Sequence, residues 1–120
     1  MPNLSLIMAI FNQEAFSNLI DGDRELFAEL YRLYNEEWTN IIEDLKVQLA
    51  LGDANKVASL AHRLKGMTRN FFAAETAALC GEVEDFALSE KLNQIQSKIE
   101  PLIISLRALD QALLASLKTF

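Results

Sequence analysis

Apolar residues recur at steps of three and four through most of the chain. After Asp23 they fall at Phe27, Leu30, Tyr31, Tyr34, Trp38, Ile41, Ile42, Leu45 and Leu49, which is the spacing of one face of a long α-helix. Asp23 can cap the start of this helix, Gly52 is a natural residue just past its end, and Asp53 can cap the next one. So short a loop between two long helices makes them antiparallel neighbours. Upstream, Gln13 to Ile20 reads as a brief helix of its own.

The helix after Asp53 carries His62, the single histidine of the chain. With His62 at 0° and about 100° added per residue, Val57, Leu60, Leu64, Met67 and Phe71 gather near 180°. Asn55, Ala58, Ser59, Lys65, Gly66 and Arg69 gather around 0°. The imidazole is therefore expected in solvent, opposite the apolar stripe. Past Phe71 the pattern changes phase. Phe72, Leu79, Val83 and Phe86 form a stripe turned by roughly 100°, which predicts a break near Phe71 to Ala74 and a helix from Ala74 to Leu88. A last helix is expected from Ser89, with a seam of Leu92, Ile95, Ile99, Leu102, Leu106, Leu109 and Leu113 and a bend at Pro101. These elements add up to an all-α protein, an up-down antiparallel four-helix bundle with a short extra N-terminal helix.

Composition supports this architecture. Hydrophobic residues make up 51% of 120 residues, enough for one core, and 4 Gly and 2 Pro leave long helices intact. The lone Cys80 precludes an internal disulfide and suits a reducing compartment. The apolar start, Met1 to Phe11, is shorter than the ~20 residues of a membrane span and lacks the basic lead of a signal peptide, so a cytoplasmic location away from membranes is expected. The net charge of −6 argues against nucleic acid as a partner. Charge is unevenly spread, however. Ala54 to Ala74 contain no Asp or Glu but hold Lys56, Arg63, Lys65 and Arg69, a local positive field on an acidic protein.

The chemistry on offer is narrow. One histidine, one cysteine and no Glu-x-x-His pair give no convergent metal ligands, and no glycine-rich phosphate loop is present. What remains is His62. An imidazole offers a neutral nucleophilic nitrogen near neutral pH. Lys65 and Arg69 follow on the same face, where they could balance an anion. Gly66, costing about 1 kcal/mol against alanine inside a helix, clears space beside the ring. Together these suit a phosphoryl group arriving from outside.

The same residues carry a resemblance. "LAHRLKG", with Asn70, Phe71 and Ala73 beyond it, resembles the signature of histidine-containing phosphotransfer (HPt) domains of multistep phosphorelays. "LALGDANKVASLAH", "AALCGEVED" and the leucine-rich last helix are similar to the family as well, from about Phe16 onward. The resemblance implies one domain over residues 1–120 that is a phosphoryl carrier and not a kinase. His62 would be phosphorylated, Lys65 would balance the charge and Gly66 would leave room. Ala58, Ser59, Arg63, Arg69 and Asn70 would meet the partner, Asn70 also holding the helix end. The partners implied are response-regulator receiver domains and a hybrid sensor histidine kinase. Mg²⁺ would be supplied by the receiver, and this chain would act as a monomer without a cofactor. Two positions depart from the family pattern: Phe72 stands where many members have Gly, and Met67 where they have a small or hydroxyl residue. An altered turn with Phe72 tucked inward is the expected consequence. Two other readings stay open: an adaptor that docks receivers without being phosphorylated, and a plain helical scaffold.

Overall fold

A computed structural model describes Ile7 and residues 10–120; most of the apolar start discussed above lies outside them. From Gln13 onward the described residues form five α-helices: α1 (Gln13–Leu19), α2 (Arg24–Ala50), α3 (Ala54–Asn70), α4 (Ala74–Leu88) and α5 (Gln96–Thr119). A 3₁₀ turn, Leu92–Gln94, precedes α5. Helices α2 to α5 form a closed ring in which α3 packs on α2 and α4, and α5 on α4 and α2. The four-helix bundle is thus as expected, 43 Å long and 24 by 20 Å across.

Helix starts follow the side-chain caps. Asp23 accepts a hydrogen bond from the Leu26 amide at 3.0 Å, Asp53 from Lys56 at 3.1 Å, and Asn12 from Ala15 at 3.0 Å. Such a cap contributes about 1 kcal/mol by satisfying an amide that the helix cannot. Helix ends share one device. After α1, α2, α3 and α4 a residue turns to positive φ: Asp21 (54°), Gly52 (73°), Phe72 (58°) and Glu90 (56°). In each case its amide and the next one bond back into the last turn, as when Phe72 N–H donates to the Arg69 carbonyl and Ala73 N–H to the Thr68 carbonyl. This is the Schellman closure, which favours glycine; only one of the four positions has it.

The core runs the length of the bundle. Phe27, Tyr34, Trp38, Ile41, Ile42 and Leu45 of α2 face Leu102, Leu106, Leu109 and Leu113 of α5, with Val57 and Leu64 of α3 beside them. One end is sealed by aromatic rings. Phe16 of α1 meets Phe27 edge-on at 4.8 Å and Phe71 at 5.2 Å, and Phe27 meets Phe120 at 5.0 Å. Full burial of a Phe such as Phe16 stabilises by about 1.5–3 kcal/mol, so α1 is anchored by this ring despite its length. Between α2 and α5, Asp110 accepts hydrogen bonds from Tyr31 Oη (2.7 Å), Asn35 Nδ2 (2.9 Å) and Trp38 Nε1 (2.8 Å). A buried carboxylate is tolerated there because three donors replace water.

Three expectations are corrected. The last helix begins at Gln96 and not Ser89, because Ser89 and Glu90 close α4 and a 3₁₀ turn intervenes. Beyond it α5 continues unbroken through Pro101. On α4 the inward face is Thr76, Ala77, Cys80, Val83, Glu84 and Ala87, while Leu79 and Phe86 are half-buried. Small residues let α3 and α4 approach closely, so the larger apolar side chains sit at the edge. Phe72 does not tuck inward. It adopts the left-handed backbone of the closure, and the residue stays 39% exposed.

Candidate functional site

His62 lies on the third turn of α3, with its side chain 68% exposed. The helix turns it outward because Leu64, Ala61 and Val57 take the buried side. A second-helix residue completes the site. Glu84, on the inward face of α4, places Oε2 at 2.7 Å from His62 Nδ1 and Oε1 at 2.5 Å from Lys65 Nζ. Its side chain is only 11% exposed. The Lys65 ammonium, and after it the His62 ring, hold the Glu84 carboxyl below the usual carboxylate range, against the opposing effect of burial. An ionised carboxylate can only accept, so the bond to His62 uses an Nδ1–H. In the neutral ring the lone pair is then on Nε2.

The other residues singled out from the sequence are distributed as follows. Lys65 is tied to Glu84 and mostly buried, 19% exposed at its side chain, so it lies toward α4 and not along the open face. Gly66 is exposed, and a methyl group there would meet nothing within 4 Å; the space beside the ring belongs to whatever approaches it. Ser59 is exposed. Ala58 is buried, which corrects its placement beside the exposed imidazole: α4 covers that flank of α3. Arg63 pairs with Glu37 of α2 at 3.1 Å. Arg69 and Asn70 are exposed at the end of α3. That end is closed by backbone hydrogen bonds from Phe71, Phe72 and Ala73, not by the Asn70 side chain.

Glu84 was missed by the sequence reading. The available signal was its spacing of four from Cys80, seven from Ala77 and three from Ala87, which puts an acid on a face of small buried residues. Cys80 itself is fully buried, and burial pushes its thiol up to about 12, which leaves it inert as a nucleophile. Among the described residues there is no group of three or more His, Cys, Asp or Glu side chains that could hold a metal ion, and no helix long and apolar enough to cross a membrane.

A helical bundle presenting one accessible imidazole, backed by a carboxylate and an ammonium group, defines the class of histidine phosphotransfer modules. The chain belongs to the Hpt domain family, which matches residues 29–117. Domains of this family are phosphocarriers and not kinases. The fold is also that of a solved structure, the histidine-containing phosphotransfer protein B (HptB) from Pseudomonas aeruginosa PAO1. That similarity has a TM-score of 0.84 and 19% sequence identity, over 92% of this chain and 96% of the other. No curated protein matches the sequence.

Proposed function

We propose that this chain carries a phosphoryl group on His62, taken from the phospho-aspartate of one receiver domain and passed to the aspartate of another. The observation that carries this reading is the solvent-facing ring of His62 on a bundle of the Hpt family. Phosphoryl transfer depends chiefly on position and charge: α3 supplies a stiff helix for the nucleophile, and the Lys65 ammonium one turn on, held by Glu84, lies at the flank of the site. The His62 nitrogen attacks phosphorus, the bond from phosphorus to the aspartyl oxygen breaks, and its electron pair stays on the receiver's carboxylate. The Mg²⁺ that assists the exchange belongs to the receiver, and a hybrid sensor histidine kinase stands upstream. Ser59, Arg63, Arg69 and Asn70 are exposed on the same helix as the ring and are the contacts a docked receiver would meet; Lys65 and Gly66 serve the phosphoryl group.

A receiver domain loaded with labelled phosphate tests the reading. The wild-type chain should acquire acid-labile label, and His62→Gln should acquire none. Docking without label in the wild type would make the protein an adaptor. Failure of any receiver domain to bind would leave a scaffold.

A further inference from the structure

Phe72 stands in a backbone conformation that a bulky residue adopts only at a cost, with φ at +58°. Burial does not offset that cost. The neighbouring Phe71 fills the core, its ring against Phe16 and Tyr34, whereas Phe72 is 39% exposed. The backbone holds Phe72 on both sides. Its N–H donates to the Arg69 carbonyl at 2.8 Å, and its carbonyl accepts from the Asn12 amide at 3.0 Å. An exposed aromatic residue is thus kept at a set place, and strain without a packing return points to use at the surface.

Phe72 lines a cleft of about 690 Å³ where the end of α3 meets α4. The floor of the cleft is small and apolar: Ala74, Ala77, Ala78 and Gly81. Lys65 and Arg69 line the α3 bank, and Glu82 and Asp85 the α4 bank. Lys65 is also the partner of Glu84, which reaches His62 with its other oxygen. The cleft is therefore continuous with the site already described, and a partner docked over His62 meets both.

We infer that Phe72 is a specificity-determining residue, one that selects receiver domains able to seat an apolar side chain between its ring and the alanines of α4. This rests on the carrier reading above. Phe72 comes ten residues after His62, roughly 15 Å further along the bundle at about 1.5 Å per residue. An interface of about 800 Å² per partner is a patch roughly 16 Å in radius, so a domain centred on His62 extends to the ring. Charge sets which side of that domain faces where. Its anionic phosphorylation site belongs at His62, Lys65 and Arg69, and its flank then crosses the alanine floor. An apolar side chain placed there gains the face of Phe72 and excludes water from the floor. A polar side chain against the same surface loses its water with no partner in return, which is the rejecting half of the selection. Glycine at this position, as in many family members, offers neither effect.

The test uses a set of purified receiver domains, ranked by their Kd for the wild-type chain in isothermal titration. Phe72→Gly should bind the preferred receiver about ten- to thirtyfold more weakly, the loss expected on truncating an aromatic anchor. Receivers low in the ranking should lose much less, so the ranking flattens. Glycine adopts this φ without cost, so weaker docking does not come from a damaged fold. Phe72→Tyr keeps the ring and should keep the ranking. A Phe72→Gly chain that binds the preferred receiver within twofold of wild type overturns the inference. So does an equal loss for every receiver, since the ring would then add affinity without selection, and so does a Phe72→Tyr chain that flattens the ranking as glycine does. Labelled phosphate separates this inference from the carrier reading. Selective docking that depends on Phe72, with no label passed to His62 by any receiver, would refute the carrier and leave the selection. Label transfer with the same receiver preference in wild type and Phe72→Gly would do the reverse. Failure of every receiver to bind the wild type would refute both.

Discussion

Gly66→Ala should make this protein more stable and worse at its task. Gly66 sits inside α3, thirteenth of 17 residues, where glycine is the costlier choice by about 0.8–1 kcal/mol relative to alanine. A substituent can cancel that gain only by clashing, and a Cβ at this position meets nothing within 4 Å. The whole propensity difference should therefore appear as stability. For a domain of 120 residues, 1 kcal/mol raises Tm by roughly 4 °C. The side chain at 66 stands one turn past His62, in the space an incoming phosphoryl group needs. Uptake from a loaded receiver domain should fall about tenfold or more, since a small misplacement of reacting atoms has large kinetic effects. The assay pairs urea unfolding with initial rates of label transfer on the same preparation. Lower stability would mean that the methyl group meets something the structure leaves open. Higher stability with an unchanged transfer rate would mean that the clearance has no role in the chemistry, and glycine at 66 would have no functional reason.

Two further predictions concern the frame. Phe72→Gly should be more stable than Phe72→Ala by about 1 kcal/mol, the reverse of the order at position 66, because φ at Phe72 is +58° and only glycine adopts that region without cost; urea titrations of the two variants measure it, and the opposite order would contradict the left-handed turn. Asp110→Ala should cost about 2–4 kcal/mol, because it leaves the buried Trp38 N–H and its two neighbours without an acceptor. The same variant has a spectroscopic readout. Burial first, then the hydrogen bond and charge of Asp110, push the Tyr31 phenol up to about 12. A phenol raised in the folded state adds stability that is full below its ordinary value of 10.0 and is lost as pH rises through the folded value. Wild type should therefore lose stability in that alkaline window, and Asp110→Ala should lose less and ionise Tyr31 earlier by near-ultraviolet absorbance. An unchanged Tyr31 midpoint would assign the whole shift to burial.

The frame was legible where a local rule has one reading. Asp23 marked the start of α2, and Gly52 and Asp53 the turn from α2 to α3, because carboxylates cap and glycine closes. The same closure after α3 and α4 uses Phe72 and Glu90, residues that carry no signal for a left-handed turn. Phe72 was accordingly read as core, and the last helix was begun too early. On α4 the largest apolar residues, Leu79 and Phe86, suggest one face, whereas the buried face includes Ala77, Cys80 and Ala87. A stripe drawn through those two residues turns α4 away from its actual setting, in which Ala58 is buried and Glu84 reaches His62. His62, exposed and followed by a lysine, could be found from one helix alone. Its carboxylate could not, because a pairing across 22 residues depends on how two helices are turned against each other.

The junction of His62, Lys65 and Glu84 bears on any attempt to move this chemistry elsewhere. Copying the five-residue string from His62 to Gly66 into another helical protein would graft the reactive ring without what orients it. The smallest transplantable piece is a pair of antiparallel helices in fixed register, and a designer should expect failures of such grafts to trace to the acceptor scaffold's second helix before its first.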